Sequence, residues 1–152
     1  MIRELWYLIK LLFSPMTSCL EIVKLKYFPI GTYSAMSWCG KLITHRDYVV
    51  KRTKNHEGIH LKQALKIVEN KKCKTWLTYY FWYLIFWILG NPLAKPHKAA
   101  YYTNPFEMEA FANDDNPDYI VTKNSWKKYK IKNRKQTYIE HQDDWRSYCK
   151  TL

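Results

Sequence analysis

The stretch "HEGIHLKQALKIVEN", residues 56–70, decides how the rest of the chain is read. Leu61, Ala64, Leu65 and Val68 recur at helical spacing and form one inward face, which predicts a helix starting between Thr53 and Asn55 and ending by Asn70. On that helix His56 and His60 stand four residues apart and project from one side, while Glu57 is turned by about 100° from His56. Gln63, seven residues after His56, returns to the same face. Gly58 interrupts the pattern; glycine in a helix interior costs about 1 kcal/mol relative to alanine, so it marks either a close backbone approach or simple tolerance.

Working outward, the segment from Tyr27 to Val50 changes character. Pro29, Gly31 and Gly40 punctuate short runs rich in Thr, Tyr, Ile and Val, which predicts two or three short strands, with a hairpin or small sheet ahead of the motif helix. Residues 3–13 set Trp6, Leu8, Ile9, Leu12 and Phe13 against Arg3, Glu4 and Lys10, the pattern of a helix with one apolar stripe ending near Ser14 and Pro15. Residues 1–20 have some features of a signal sequence, but Lys10 interrupts the apolar run, Glu4 sits in the basic end and no small-x-small cleavage site follows. An amphipathic first helix is the reading adopted.

Downstream, "WLTYYFWYLIFWILG", residues 76–90, is apolar on every side and stops at Gly90, Asn91 and Pro92. Fourteen helical residues span roughly 21 Å, less than the approximately 30 Å of a hydrocarbon core, so a full crossing is disfavoured. Its rings, with Lys71, Lys72 and Lys74 before it and Lys95 and Lys98 after it, suit either a core helix or one resting at a headgroup boundary. In "NPFEMEAFAND", residues 104–114, Asn104 reads as a helix cap, Pro105 as the first helical residue and Glu107 as the capping-box partner, with the helix running to Asn113. Residues 123–152 form a basic C-terminal extension with a last helix near its end. No internal repeat is visible.

A chain of 152 residues with few Gly and Pro and 47% hydrophobic residues fits one helix-rich domain, of mainly helical α+β class. The formal charge of +12 draws anionic partners without choosing among them. Cys19, Cys39, Cys73 and Cys149 are too scattered for a thiolate metal site or a disulfide framework, and are expected to be free and mostly buried. A cytoplasmic location, peripheral to a membrane at most, follows from these features.

Two imidazoles four apart on a helix are a ligand pair for one Zn²⁺, and Glu57 stands where a general base would receive a proton from an attacking water. A catalytic site needs a third protein ligand. Because Glu107 is accounted for as a cap, Glu109 is assigned to that place, and Asn113, on the same face as Glu109, to hydrogen-bonding the far nitrogen of a ligating histidine. Gln63 is assigned to supporting a ligand or touching substrate. His45, His97 and His141 lack ligand-spaced partners and are read as structural or surface groups, while Tyr101, Tyr102 and His97 are candidates for stabilising an oxyanion.

With these residues in hand, the chain resembles the gluzincin-type zinc metallopeptidases, in which an HExxH helix is followed on a later helix by a glutamate ligand in a Glu-Ala-x-x-Asp-like segment. Glu109, Ala110, Phe111, Ala112 and Asn113 match that segment, and the arrangement is similar to a group of small bacterial zinc peptidases over roughly residues 28–122. The pattern departs from the family at Lys54 and Lys62, which flank the motif, and at Asn113, which replaces the acid. The resemblance implies a zincin-like domain hydrolysing peptide bonds in a peptide or protein substrate. The competing reading is a non-enzymatic basic protein that binds an anionic membrane surface or nucleic acid, or an inactive metal-binding relative. Lys123 to Lys135 interleave with Trp126 and Tyr129, but no recognised nucleic-acid module accompanies them, and no specific nucleic acid is expected.

Overall fold

The computed structural model describes residues 1–30, 33–70 and 75–152. Gly31, Lys71, Lys72, Cys73 and Lys74, used in the sequence reading, lie outside the described residues. The class is as expected: a mainly helical α+β structure with a small sheet ahead of the motif helix.

α1 (Ile2–Leu11) is followed by β1 (Glu21–Lys24), β2 (Ala35–Trp38) and β3 (Lys41–Thr44). The strands are ordered β1-β3-β2, with β1 parallel and β2 antiparallel to the central β3. β2 and β3 form the anticipated hairpin. Cys39 and Gly40 turn it with φ of 50° and 77°, the pair of left-handed residues that matches the twist of a two-residue hairpin. A side chain at Gly40 would also collide with Thr17, so this glycine is required twice over. β1 precedes the window in which strands were expected: four residues with charged ends carry little alternation, and only pairing with β3 makes them a strand.

The motif helix is α2 (Lys51–Val68), starting slightly before the expected cap. α3 (Trp76–Leu89), α4 (Lys98–Tyr102) and α5 (Pro105–Asn113) follow, and the tail forms a 3₁₀ turn (Ser125–Tyr129), α6 (Arg134–His141) and α7 (Trp145–Thr151). α4 lies between the aromatic helix and the helix at Asn104, where no element is anticipated. The main core brings Leu61 and Ala64 of α2 against Trp76, Tyr79 and Phe86 of α3, with Phe106 of α5 and Trp126 of the tail closing it. A second cluster joins Met108, Phe111 and Ala112 of α5 to Tyr129, Tyr138, Trp145 and Cys149. α5 is thus buried on all sides. The tail rings are turned into these cores, and Lys130 lies over the rings of Phe86 and Trp126 at 5.1 and 5.0 Å, so they do not form an open platform for stacking bases.

Two local expectations change. The apolar residues of α1 do not make a single buried stripe: Leu8 and Leu11 face the core, while Trp6, Ile9 and Phe13 face solvent. At Gly58 an added Cβ would meet nothing within 4 Å, so no close approach explains that glycine. Cys39 and Cys149 are buried free thiols and Cys19 is exposed.

Candidate metal centre

His56 and His60, one turn apart on α2, point into the space between α2 and α5, and their Nε2 atoms come to 3.3 Å of each other. The carboxylate that meets them is that of Glu107. One of its oxygens lies 3.1 Å from His56 Nε2 and the other 3.3 Å from His60 Nε2. Ligand atoms held about 2.0–2.1 Å from a tetrahedral zinc are themselves roughly 3.3 Å apart. The two Nε2 atoms meet that spacing, each has a different oxygen of Glu107 beside it, and one ligand atom from each residue lies within 4.8 Å of the others, so these buried side chains form a two-histidine, one-glutamate set able to hold a divalent metal.

The atoms behind the histidines favour the same conclusion. His60 Nδ1 is 2.9 Å from Gln63 Oε1, and His56 Nδ1 is 3.7 Å from Asp114 Oδ2. His60 faces an oxygen acceptor with its far nitrogen at hydrogen-bond distance, and His56 has a carboxylate behind it as a longer charge contact, an arrangement that suits coordination through Nε2. The orientation of the Gln63 amide follows from its other neighbours. Its Nε2 donates to the Phe106 carbonyl at 3.0 Å and to Glu109 Oε2 at 2.7 Å, which leaves Oε1 to face His60.

Glu109 is fully buried but remote from the metal cluster, because its second oxygen accepts from the Tyr119 hydroxyl at 2.8 Å. Residues two apart on a helix differ by about 200°, so α5 can turn only one of the two glutamates towards α2's histidines. It turns Glu107. The first-turn position of Glu107 does not serve as a capping box: Asn104 accepts from the Phe106 amide, and the Glu107 carboxylate is held by the histidines and by the Tyr83 hydroxyl at 2.6 Å. Asn113 is also displaced from its expected role, as its amide donates to the Glu109 carbonyl and the Tyr129 hydroxyl. Asp114, the next residue, stands behind His56 in its place and is itself held by Arg146 Nε at 2.9 Å. Gln63 is buried and bonds the far nitrogen of His60, the place that support of a ligand would require.

Electrostatics bind the cluster together. Burial opposes a charged His56, but hydrogen bonds to Asp114 and Glu107 outweigh it and raise the imidazole to about 10. His60 is also raised, since the Glu107 charge overcomes the cost of burial. Burial likewise works against ionised Glu107, yet both histidines hold it well below the usual carboxylate range. Without a metal, the cluster stores protons where a cation fits.

Glu57 is buried beside the triad, and burial raises its carboxyl above the ordinary range. It lines a cleft of about 470 Å³ bounded by β2 on one side and by Tyr79, Tyr80 and Tyr83 of α3 on the other, with His60 and Glu107 at its floor. A second cleft of about 400 Å³ shares Tyr33, Ala35, Glu57 and Tyr101 with the first and continues past His56 to Arg52 and Arg146. β2 is one of the sheet's two edge strands: among the described residues no strand pairs with its outer side, where the Ser37 backbone bonds the Glu57 carboxyl. Of the three oxyanion candidates, Tyr101 lines both clefts with its hydroxyl against Glu107, Tyr102 stacks on Phe111, and His97 is exposed and bonded to the Pro92 carbonyl. Tyr83, which was not anticipated, shares the Tyr101 position beside Glu107. Lys54 and Lys62 both lie on the solvent side of α2, where Lys62 bonds the Tyr119 carbonyl, so neither departure intrudes on the site. His45 is exposed and His141 stacks on Tyr148, both away from the centre.

No protein family, curated protein or solved structure matches the chain. What the structure itself supports is a buried triad of His56, His60 and Glu107 that resembles a zincin-type site of HExxH plus glutamate.

Proposed function

We propose that this protein is a zinc-dependent hydrolase that cleaves peptide bonds, with His56, His60 and Glu107 as metal ligands and Glu57 as general base. The observation that supports the chemistry beyond metal binding is the position of Glu57: a buried carboxyl, raised by desolvation, in the floor of an open cleft next to the metal set. A carboxyl raised by desolvation holds a proton more readily than a solvated one, the direction in which general acid–base work tunes such a group.

The donor set of two neutral imidazoles and one carboxylate is the type that binds catalytic zinc with a coordination position to spare. When bound, the metal supplies Lewis acidity that polarises a carbonyl and makes water acidic enough to attack it. Glu57 accepts the water proton and returns it to the departing amine. Tyr101 and Tyr83 keep their hydroxyl groups on Glu107, and Tyr101, which lines both clefts, would stabilise a developing oxyanion by turning its hydroxyl from Glu107 to the substrate. The free edge of β2 supports a peptide as substrate, because an extended chain laid along it gains backbone hydrogen bonds while its side chains reach the aromatic wall of α3.

The test uses purified full-length protein. The expected result is one zinc per chain, hydrolysis of quenched-fluorescence peptides, and loss of that hydrolysis by at least about a hundredfold in Glu57→Gln with zinc content unchanged. Zinc binding with equal turnover in wild type and Glu57→Gln would refute Glu57 as the base, and absence of any hydrolysis across a broad peptide library would refute the peptidase reading.

A further inference from the structure

Two helices near the cleft keep apolar faces that nothing among the described residues covers. On α3, Leu77, Phe81, Leu84 and Ile88 follow one another at spacings of four, three and four, which places them within one narrow stripe; Phe81 is 59% and Ile88 53% exposed. The buried residues of the same helix, Trp76, Tyr79 and Phe86, are on the opposite side. On α1, Ile2, Leu5, Trp6 and Ile9 make a second exposed stripe, opposite Leu8 and Leu11.

The two are neighbours. Trp38 donates its indole N–H to the Leu8 carbonyl of α1 and stacks at 4.7 Å on Tyr80 of α3. Glu4 of α1 accepts from the backbone amides of Lys26 and Tyr27, which brings the Tyr27–Ile30 segment alongside. Ile30, 70% exposed, and Leu84, 51% exposed, belong to this apolar surface and also line the cleft that holds Glu57, so the surface reaches the cleft.

Lysines sit among the rings. Lys10 lies over Trp6 at 5.8 Å and Lys26 over Tyr27 at 5.3 Å, with ammonium groups beside an aromatic edge as an interface between lipid tails and anionic headgroups favours. No helix among the described residues is long and apolar enough to cross a membrane, so this surface can only rest on one. A net charge of +12 complements anionic lipid, and would oppose the approach of a second copy of the chain.

From this we infer that the exposed faces of α1 and α3, with the Tyr27–Ile30 segment, seat the protein on the surface of an anionic bilayer and bring the cleft mouth to the headgroup layer. The inference does not depend on hydrolysis or on the identity of the metal.

Full-length protein is sedimented with vesicles of phosphatidylcholine containing about one third phosphatidylglycerol, and with vesicles of phosphatidylcholine alone, at low and high salt. Wild type is expected to bind the anionic vesicles and to be partly released by salt. Burying a large apolar side chain is worth about a tenfold change in partition or more, so Phe81→Glu with Ile88→Glu should lower binding by about a hundredfold. Circular dichroism and zinc content verify that the double variant folds. Ile139→Glu, at an exposed position on α6, serves as the comparison and should bind as wild type does. The inference is overturned if wild type ignores anionic vesicles, or if the double variant binds them equally. It is also overturned if sedimentation velocity shows a wild-type dimer that Phe81→Glu with Ile88→Glu converts to monomer while neither binds vesicles, since the face would then pair two copies.

Discussion

Which α5 glutamate holds the metal can be settled by two isosteric substitutions. Glu107→Gln removes the anionic charge from a group whose oxygens lie 3.1 and 3.3 Å from the two histidines. Four-ligand zinc sites in small folds are worth about 10–16 kcal/mol, or about 2.5–4 kcal/mol per ligand, so losing this one should weaken zinc affinity by roughly 70- to 900-fold. Glu109→Gln acts only through Gln63. The new amide can accept from Gln63 and donate to the Tyr119 oxygen, so both contacts at 2.7 and 2.8 Å can be remade without charge. Substitutions behind the ligands typically cost about 10- to 100-fold in affinity, and this one should fall at the low end. The assay is competition for zinc against a chromophoric chelator, with thermal denaturation in excess chelator to confirm that both variants fold. An effect of Glu109→Gln equal to or larger than that of Glu107→Gln would refute the assignment, whatever the absolute values.

Three further outcomes are expected. Asp114→Asn, which removes the charge behind His56, should lower zinc affinity by about 10- to 100-fold with the fold retained, read by the same competition assay. Gly58→Ala should stabilise the protein by about 0.5–1 kcal/mol in urea denaturation, because the methyl group meets no neighbour and the unfolded chain loses freedom. For pH, His56 is raised in the metal-free fold, from an unfolded value near 6.5 to about 10. Its contribution to stability is therefore complete below about pH 6.5 and is lost as pH climbs towards 10. The melting temperature of chelator-treated protein should fall over that window. Zinc must displace the same proton, so zinc affinity should rise by about tenfold per pH unit for each proton released, measured by titration between pH 7 and 9.

Much of the site was legible in advance because local spacing controls it. The four-residue interval between His56 and His60 fixes their common direction once α2 is a helix, and Glu57 follows from the same geometry. Gln63 was found by that route too. Glu107 is hidden in the sequence because Asn104, Pro105 and Glu107 carry the pattern of a capping box, and the pattern is satisfied in this fold by Asn104 alone. Hydrophobic patterning could not rank the two glutamates either. α5 is buried all round, so it has no polar face from which to infer its rotation.

What the chain determined by itself is the set of elements: a helix carrying His56, Glu57 and His60, a hairpin ahead of it, and an aromatic helix after it. Each depends on interactions within a few residues, where periodicity, turn chemistry and propensity act directly. Tertiary structure decided the rotation of α5 about its axis, which turns Glu107 to the histidines and Glu109 to Gln63 and Tyr119. It also decided the pairing of β1 with β3 and the exposure of α1 and α3 around the cleft. These depend on which surfaces meet, a matter of packing between residues far apart in the chain, and no local pattern encodes it.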